Sequence, residues 1–230
     1  MRKGRSRMAE HESESDRAVF GSVRRTIIRW FSSYGRQFDW RKNADPFNVL
    51  IAEMLLRRTT ASAVARVYGR FVTRFGTPAA IASARESELM KLLKSLGLQT
   101  VRAQQILRTG VILVEEFNGT VPKGMDALLS LPGLGRYGAS AVMNFAFGVH
   151  IPVVDGNVIH LMNRVFGLGF RGPLDESAWR FMADFGGRNQ EKQLYWGIID
   201  MVAALCLRRN PRCTSCPLLR YCKYGRRLVK

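Results

Sequence analysis

Apolar residues recur every three or four positions along most of this chain, which is the period of amphipathic helices. The first such stripe comprises Val23, Ile27, Ile28 and Phe31. A second stripe follows Asp45, which is suited to cap a helix whose first residue is Pro46. The same period predicts further helices over residues 61–75, 86–95, 99–117, 125–130, 136–147, 156–166, 175–185 and 190–206.

Glycine and proline mark the breaks between these segments, at 76–78, 97, 119–122 and 167–173. No segment shows the strict alternation of apolar and polar residues that is typical of a half-buried strand. The pattern therefore predicts an all-α fold.

Composition and charge narrow the class of protein. The 230 residues are 47% hydrophobic and 10% aromatic, which is typical of a globular protein. No apolar run is long enough to span a membrane. A formal net charge of +18 favours a polyanionic partner, above all nucleic acid, although such an excess can also cause nonspecific adhesion.

The cysteines lie together at one end of the chain. Cys206, Cys213, Cys216 and Cys222 are the only four, with gaps of six, two and five residues. The N-terminal residues contain no apolar signal core, so a secreted disulfide framework is not expected. Thiolates on short loops are suited to one metal centre, and the spacing alone leaves both zinc and an iron–sulfur cluster open.

A second motif is the run Leu131-Pro-Gly-Leu-Gly135 between two predicted helices. Pro132 ends the first helix, and the glycines permit a tight turn that leaves bare backbone N–H groups at the start of the second. Such a turn binds phosphate through aligned N–H donors and the helix dipole. The alternative is an ordinary hairpin of two helices.

Three separated motifs together resemble the helix-hairpin-helix DNA glycosylases of the endonuclease III superfamily. They are Leu131–Tyr137, Val154–Asn157 and the four-cysteine tail, and the resemblance covers residues 20–223. It implies that the four cysteines bind a [4Fe–4S] cluster. It also implies two α-helical lobes on either side of a DNA-facing cleft, with the cluster loop at the C-terminal end.

The resemblance divides the chain into three parts. We expect a disordered tail over 1–17, a helical domain with the hairpin over 41–149, and a cluster domain made of 18–40 plus 150–230. The last 23 residues contain eight basic and no acidic side chains, so we expect the cluster loop to contact the DNA backbone.

Asp155 matches the catalytic aspartate of this family. A fixed carboxylate stabilises the positive charge that develops on the sugar when an N-glycosidic bond breaks, or activates the attacking water. The position at the start of a predicted helix should keep Asp155 ionised. The alternative is that Asp155 only caps that helix.

Tyr137 occupies the position where bifunctional members of the family have a lysine. A lysine amine attacks the sugar and leads to strand cleavage, and no lysine lies between Lys123 and Lys192. The pair of tyrosine and aspartate resembles the thymine-DNA mismatch glycosylases. The alternative for Tyr137 is a packing or surface aromatic.

Glu53 favours a different substrate, adenine, because it matches the glutamate of the adenine glycosylases. A continuous helix would place Glu53, Arg57 and Thr60 on one face, so the alternative is a surface Glu–Arg pair. The run Leu-Arg-Arg-Thr-Thr60 resembles the thymine-mismatch members instead. We therefore expect Glu53 in the base pocket without using it to identify the base.

Further residues are candidates for DNA contact. Arg58 extends the apolar stripe of the second predicted helix, where a charge needs an anionic or polar partner. The resemblance implies that this segment faces the gap left by the flipped nucleotide, so Arg57 or Arg58 could contact the orphaned base, and guanine would suit arginine. The alternative is a solvated helix end. Leu98 matches the wedge of the family, and its alternative is core packing. From the hairpin we add Gly133, Gly135 and Arg136.

These residues predict a monofunctional DNA glycosylase that removes thymine or uracil mispaired with guanine in base excision repair. One alternative is an adenine DNA glycosylase acting on adenine opposite guanine or oxidised guanine, and another is a non-catalytic lesion-binding protein. We expect a cytoplasmic monomer that binds double-stranded DNA with a mismatched or damaged base, and no membrane.

Overall fold

The computed structural model describes residues 14–42, 44–187 and 191–229, and the all-α prediction is confirmed there. Two 3-10 turns, Lys94–Leu96 and Cys213–Ser215, accompany the α-helices. The α-helices within these ranges are α1 (Glu14–Tyr34), α2 (Asp39–Lys42), α3 (Pro46–Leu56), α4 (Ala61–Phe75), α5 (Pro78–Ala82), α6 (Glu86–Leu93), α7 (Gln99–Phe117), α8 (Met125–Leu129), α9 (Arg136–Phe145), α10 (Gly156–Phe166), α11 (Glu176–Gly186), α12 (Lys192–Ala204) and α13 (Lys223–Leu228). None of the described helices is both long and apolar enough to cross a membrane.

Side-chain caps explain where several helices start. Asp45 caps α3 as predicted, because its Oδ1 accepts a hydrogen bond of 2.8 Å from the Asn48 N–H. Thr60 and Thr77 cap α4 and α5 in the same way. The short helices α2, α5 and α13 were not predicted, because four to six residues show little helical period, although α8, which is as short, lies within the predicted segment 125–130.

Helix α1 begins at Glu14, whereas the predicted tail extended to residue 17. Residues 14–17 are therefore helical, and residues 1–13 of the predicted tail lie outside the described part of the chain. The periodic pattern starts only where α1 packs on other helices, so the charged first turn of the helix gave no signal.

The chain forms two compact units, and the first comprises residues 36–153 with α2 to α9. In this unit α3 packs on α9, and α5 packs closely on α7. A Cβ at Gly110 of α7 would lie 2.5 Å from Ile81 Cγ2, so glycine permits that approach. This packing places the C-terminal end of α3, the start of α7 and the turn before α9 in one structural unit.

The second unit comprises residues 1–35 and 154–230, with α1 and α10 to α13 among its described residues. The predicted boundaries had assigned 36–40 and 150–153 to this unit as well. Helix α1 packs on α12, where Gly197 brings its backbone close to Ile27. Phe20 of α1 makes edge contacts of 5.2–5.4 Å with the rings of Phe166 and Phe185, so the N-terminal helix belongs to the same core as the C-terminal segment.

Candidate active site and cysteine loop

The predicted hairpin is present between α8 and α9. The Leu134 N–H donates to the Leu131 carbonyl at 3.1 Å, and Pro132 and Gly133 fill the two central positions of that turn. Gly133 has φ +80°, which is the conformation that a type II turn requires at this position. Gly135 then caps α9 on the exposed surface, and a Cβ there would meet no other atom within 4 Å. The N-terminal end of α9 is therefore open at Gly135.

The guanidinium of Arg57 holds this turn in place. Its Nη1 donates to the Gly133 carbonyl at 2.8 Å, and its Nη2 donates to Gln105 Oε1 at 2.7 Å. Arg57 therefore joins the end of α3 to the hairpin and to α7. The contact of Arg57 with the orphaned base stays a prediction. Such a contact would compete with the hydrogen bonds to Gly133 and Gln105.

Helix α3 ends at Leu56, so the helical-face arguments for the residues beyond it are wrong. Arg57 has ψ 116°, and Arg58 has φ 55° in the left-handed region, so neither continues the helix. Arg58 does not extend the apolar stripe of α3, and Arg57 and Thr60 do not share a helical face with Glu53. Arg58 is exposed, and its predicted contact with DNA stays a prediction.

A residue that the sequence did not single out explains this early end. Arg102, in the first turn of α7, is only 3% exposed. It donates to four acceptors, which are the carbonyls of Met54 (2.6 Å), Leu55 (3.1 Å) and Arg57 (3.1 Å) and Thr59 Oγ1 (3.0 Å). Burial, and then the charge of Arg57, lower the pKa of Arg102. The available signal was a cation in the apolar stripe with Ala103 and Ile106.

Glu53 is buried, with 9% of its surface exposed. The alternative of an exposed Glu–Arg surface pair is therefore wrong. Tyr137 is the second residue of α9 and is partly exposed. Because α3 packs on α9, the two helices that carry Glu53 and Tyr137 are neighbours within one unit.

Leu98 lies in a strained and exposed position before α7. It has φ 51°, it follows Gly97 with φ 72°, and 51% of its surface is exposed. The alternative of core packing is therefore wrong. Thr59 Oγ1 lies 3.4 Å from the Leu96 carbonyl, so the turn at Leu98 is tied to the turn that contains Arg58.

Asp155, in the second unit, caps α10. Its Oδ1 accepts from the N–H groups of Asn157 (2.9 Å) and Val158 (2.8 Å), and its Oδ2 accepts from Asn157 Nδ2 (2.6 Å). Burial raises the pKa of Asp155 above 3.8, while these hydrogen bonds and the charge of Arg208 oppose the rise. The helix start was expected to keep Asp155 ionised, but the effect of burial on its pKa is the larger one.

The four cysteines line one cavity, together with leucine side chains from α10 and from the C-terminal loop. Burial raises the pKa of Cys206 and Cys222, and raises that of Cys216 to about 11. Among the described residues, no three cysteine, histidine or carboxylate side chains are grouped as ligands of a single metal ion.

Arg164 of α10 braces the start of this loop. It donates to the Leu207 carbonyl at 2.8 Å and to Cys206 Sγ at 3.5 Å, and its guanidinium lies 4.3 Å from the centre of the Tyr224 ring. His160 Nε2 lies 2.9 Å from the Cys206 carbonyl. Helix α10 thus carries Asp155 at its first turn and contacts with the cysteine loop further along.

Known proteins resemble the chain over most of its length. Residues 51–178 match the HhH-GPD superfamily base excision DNA repair proteins. A thymine/uracil-DNA glycosylase of Pyrobaculum aerophilum is 37% identical over 205 residues, which are 86% of this chain and 89% of that protein. An adenine DNA glycosylase of Buchnera aphidicola is 28% identical over 86% of this chain and 57% of its own length. Among solved structures, a thermostable thymine-DNA glycosylase superposes with a TM-score of 0.87 and 30% identity, covering 93% of this chain and 100% of that one.

Proposed function

The chain belongs to the HhH-GPD superfamily of base excision DNA repair proteins, and on that premise we propose that it hydrolyses the N-glycosidic bond of thymine or uracil mispaired with guanine. The observation that carries the proposal is Asp155, a partly buried carboxylate fixed by three hydrogen bonds at the start of α10. The thymine/uracil-DNA glycosylase relative supports the choice of base.

The geometry of Asp155 suits the chemistry of base release. An extrahelical nucleotide must enter the site before its glycosidic bond breaks, and positive charge then develops on the sugar. A carboxylate that is held in place needs no reorganisation to stabilise that charge. Because burial raises the pKa of Asp155, its carboxylate is also a stronger base toward the attacking water than an exposed aspartate.

Tyr137 supports hydrolysis without strand cleavage. A phenol cannot form the Schiff base through which a lysine would start the lyase step. The Tyr137 ring, partly exposed at the start of α9, is instead available to contact the base or the sugar. We therefore propose that the product is an intact strand with an abasic site.

Glu53 favours a second candidate, an adenine DNA glycosylase. It is a buried acid on α3, and an adenine DNA glycosylase is among the similar proteins. A buried carboxyl group could protonate a purine leaving group. Thymine or uracil remains our first choice, because the relative that acts on those bases is the more similar of the two, with 37% against 28% identity.

A panel of duplexes, each with one mismatch or lesion, tests the substrate. We expect the wild-type protein to release thymine and uracil opposite guanine, with strand breaks only after alkali treatment. Borohydride should trap no covalent complex with the DNA, because Tyr137 replaces the lysine nucleophile. Breaks without alkali would contradict hydrolysis alone, and release of adenine alone would favour the second candidate.

We propose in addition that Cys206, Cys213, Cys216 and Cys222 hold a [4Fe–4S] cluster. The four thiols line one cavity, and burial raises the pKa of Cys206, Cys216 and Cys222, so a positively charged metal centre in the cavity would favour their ionised form. When bound, the cluster would cross-link the basic C-terminal loop.

Replacing one ligand tests this centre. We expect the purified protein to be yellow-brown and to contain iron and sulfide, and Cys216→Ser to lose colour and to unfold at a lower temperature. Ser215→Ala is the matched control, because Ser215 is exposed and only donates to the Arg212 carbonyl. Stoichiometric zinc in a colourless protein would refute the cluster. The monomeric state and the cytoplasmic location stay predictions.

A further inference from the structure

Two residues of the first unit, Arg58 and Leu98, combine an exposed side chain with a strained backbone conformation. Arg58 has φ 55° and Leu98 has φ 51°, although neither is a glycine, asparagine or aspartate. Both side chains are exposed, so packing of their own side chains does not account for the strain. Residues in this region persist only when the surrounding structure holds them, and such strain is concentrated at functional sites.

One partly buried hydrogen-bond network, centred on Arg102, contacts both turns. Arg102 Nη2 donates to the Arg57 carbonyl at 3.1 Å and to Thr59 Oγ1 at 3.0 Å, so it bonds on both sides of Arg58. The Thr59 hydroxyl in turn has two acceptors within reach, the Leu96 carbonyl at 3.4 Å, two residues before Leu98, and the Arg57 carbonyl at 3.3 Å, one residue before Arg58. The same guanidinium is fixed by the carbonyls of Met54 and Leu55 at the end of α3.

An arginine is a costly way to end a helix. A glycine could end α3 without taking a charge out of water, whereas Arg102 is 97% buried. The planar guanidinium offers several donors in fixed directions, which a flexible lysine does not. Its use here therefore indicates a need to fix the positions of two turns relative to each other.

We propose that Arg102 and Thr59 are positioning residues for opening the DNA duplex, and that they hold Arg58 and Leu98 as one rigid pair of probes. As a nucleotide leaves the stack, Leu98 would fill apolar space and Arg58 would meet the acceptor-rich edge of the orphaned base. This inference rests on the proposed function, since it assumes a duplex substrate whose target base is extruded.

Thr59→Val is the sharpest variant, because it keeps the shape of the side chain and removes its hydroxyl. We expect single-turnover release from a G·T or G·U duplex to fall on the order of tenfold to a hundredfold. The melting temperature should drop modestly, because Arg102 Nη2 loses one acceptor and keeps the Arg57 carbonyl. Arg102→Lys should behave similarly if it folds. Arg74→Lys is the matched control, because Arg74 is exposed and its contacts, with Glu88 at 3.4 Å and with the Phe75 ring, do not involve Arg102 or Thr59.

A double-mutant cycle separates positioning from a general structural role. If Thr59 acts through the two probes, Thr59→Val should have no further effect on base release once Arg58 and Leu98 are both replaced by alanine. Equal losses in both backgrounds, or no loss from Thr59→Val in the wild-type background, would overturn the inference.

Extrusion of the base can also be measured without the chemistry. In an Asp155→Asn background, a 2-aminopurine beside the mismatch should brighten on binding, and Thr59→Val should reduce that signal. If the wild-type protein releases neither thymine nor uracil, the proposed function fails. In that case the inference is still supported if Thr59→Val reduces the fluorescence signal. The inference is overturned if Thr59→Val leaves the signal unchanged.

Discussion

At the scale of single residues, two aspartates with the same local motif have opposite environments. Asp155 and Asp175 each cap a helix and accept from the N–H two residues later. Burial raises the pKa of Asp155, whereas hydrogen bonds from the Ser177 hydroxyl and from the Arg171 N–H lower that of Asp175. An ionised carboxylate stabilises the helix that it caps. Burial of Asp155 opposes its ionisation, so its position favours a role beyond capping α10.

Asp155→Asn should abolish base release and stabilise the protein. We expect release to fall by about a hundredfold or more because the charge on the sugar loses its partner. Asparagine keeps an oxygen for the two N–H groups, keeps the bond with Asn157 Nδ2 only if that amide turns over, and removes a charge whose burial opposes folding. The melting temperature should therefore rise at neutral pH. This gain should shrink as the pH falls toward 3.8 and below, because Asp155 of the wild type then becomes protonated in both the folded and the unfolded protein.

Asp175→Asn is the matched control for this prediction. It should leave base release unchanged and lower the melting temperature slightly, because a carboxylate with a lowered pKa contributes stability above that pKa. DNA binding should persist in both variants. Full base release by Asp155→Asn would exclude the catalytic role.

At the scale of elements, the hairpin before α9 contains two glycines with different tasks. Gly133 has φ +80°, and a Cβ there would lie 2.6 Å from Gln105 Oε1 and 2.7 Å from Arg57 Nη1. Gly135 has φ −96° and open space around it. The first glycine is required by the fold, and the second leaves room for something outside the protein.

Gly133→Ala and Gly135→Ala should therefore separate stability from DNA binding. We expect Gly133→Ala to lower stability by about 1–3 kcal/mol because of backbone strain and the displaced Arg57. Gly135→Ala should leave the melting temperature unchanged but weaken binding to duplex DNA, since a methyl group would stand between the N–H donors and a phosphate. Unchanged DNA binding by Gly135→Ala would refute phosphate binding at this turn.

The sequence predicted the long helices because their core-facing stripes are local. Helices 61–75, 99–117 and 156–166 have the predicted bounds. It did not predict the end of α3 at Leu56, because the cap comes from Arg102, which lies 45 residues after Arg57. The predicted family and class of enzyme, which rested on three separated motifs, are confirmed. The fixed positions of Arg58 and Leu98 were not predictable, because they depend on contacts between residues far apart in the sequence.

At the scale of the whole molecule, charge dominates the expected binding. The net charge of +18 arises from 36 basic and 18 acidic residues. Arg136 stands exposed at the start of α9, beside the open end of the hairpin. Attraction of this kind releases counterions from DNA, so it depends steeply on salt.

Duplex affinity should therefore fall at least about tenfold between 50 and 200 mM salt, with a linear dependence of log affinity on log salt. Arg136→Ala should reduce the slope by about one, as expected for one lost phosphate contact. Arg180→Ala, which removes an exposed arginine of α11, is the control and should leave the slope unchanged. An affinity that does not depend on salt would contradict this account.

The assignment of α1 to the unit of α10–α13 has a consequence for synthesis on the ribosome. Residues 36–153 are contiguous and can fold as soon as they emerge, but α1 emerges before them and packs on α12, which emerges after them. At ordinary rates of translation the delay is roughly ten seconds. During that time Val23 and Ile27, both fully buried in the native protein, stay exposed to water, so the apolar face of α1 is covered only after α12 has been made.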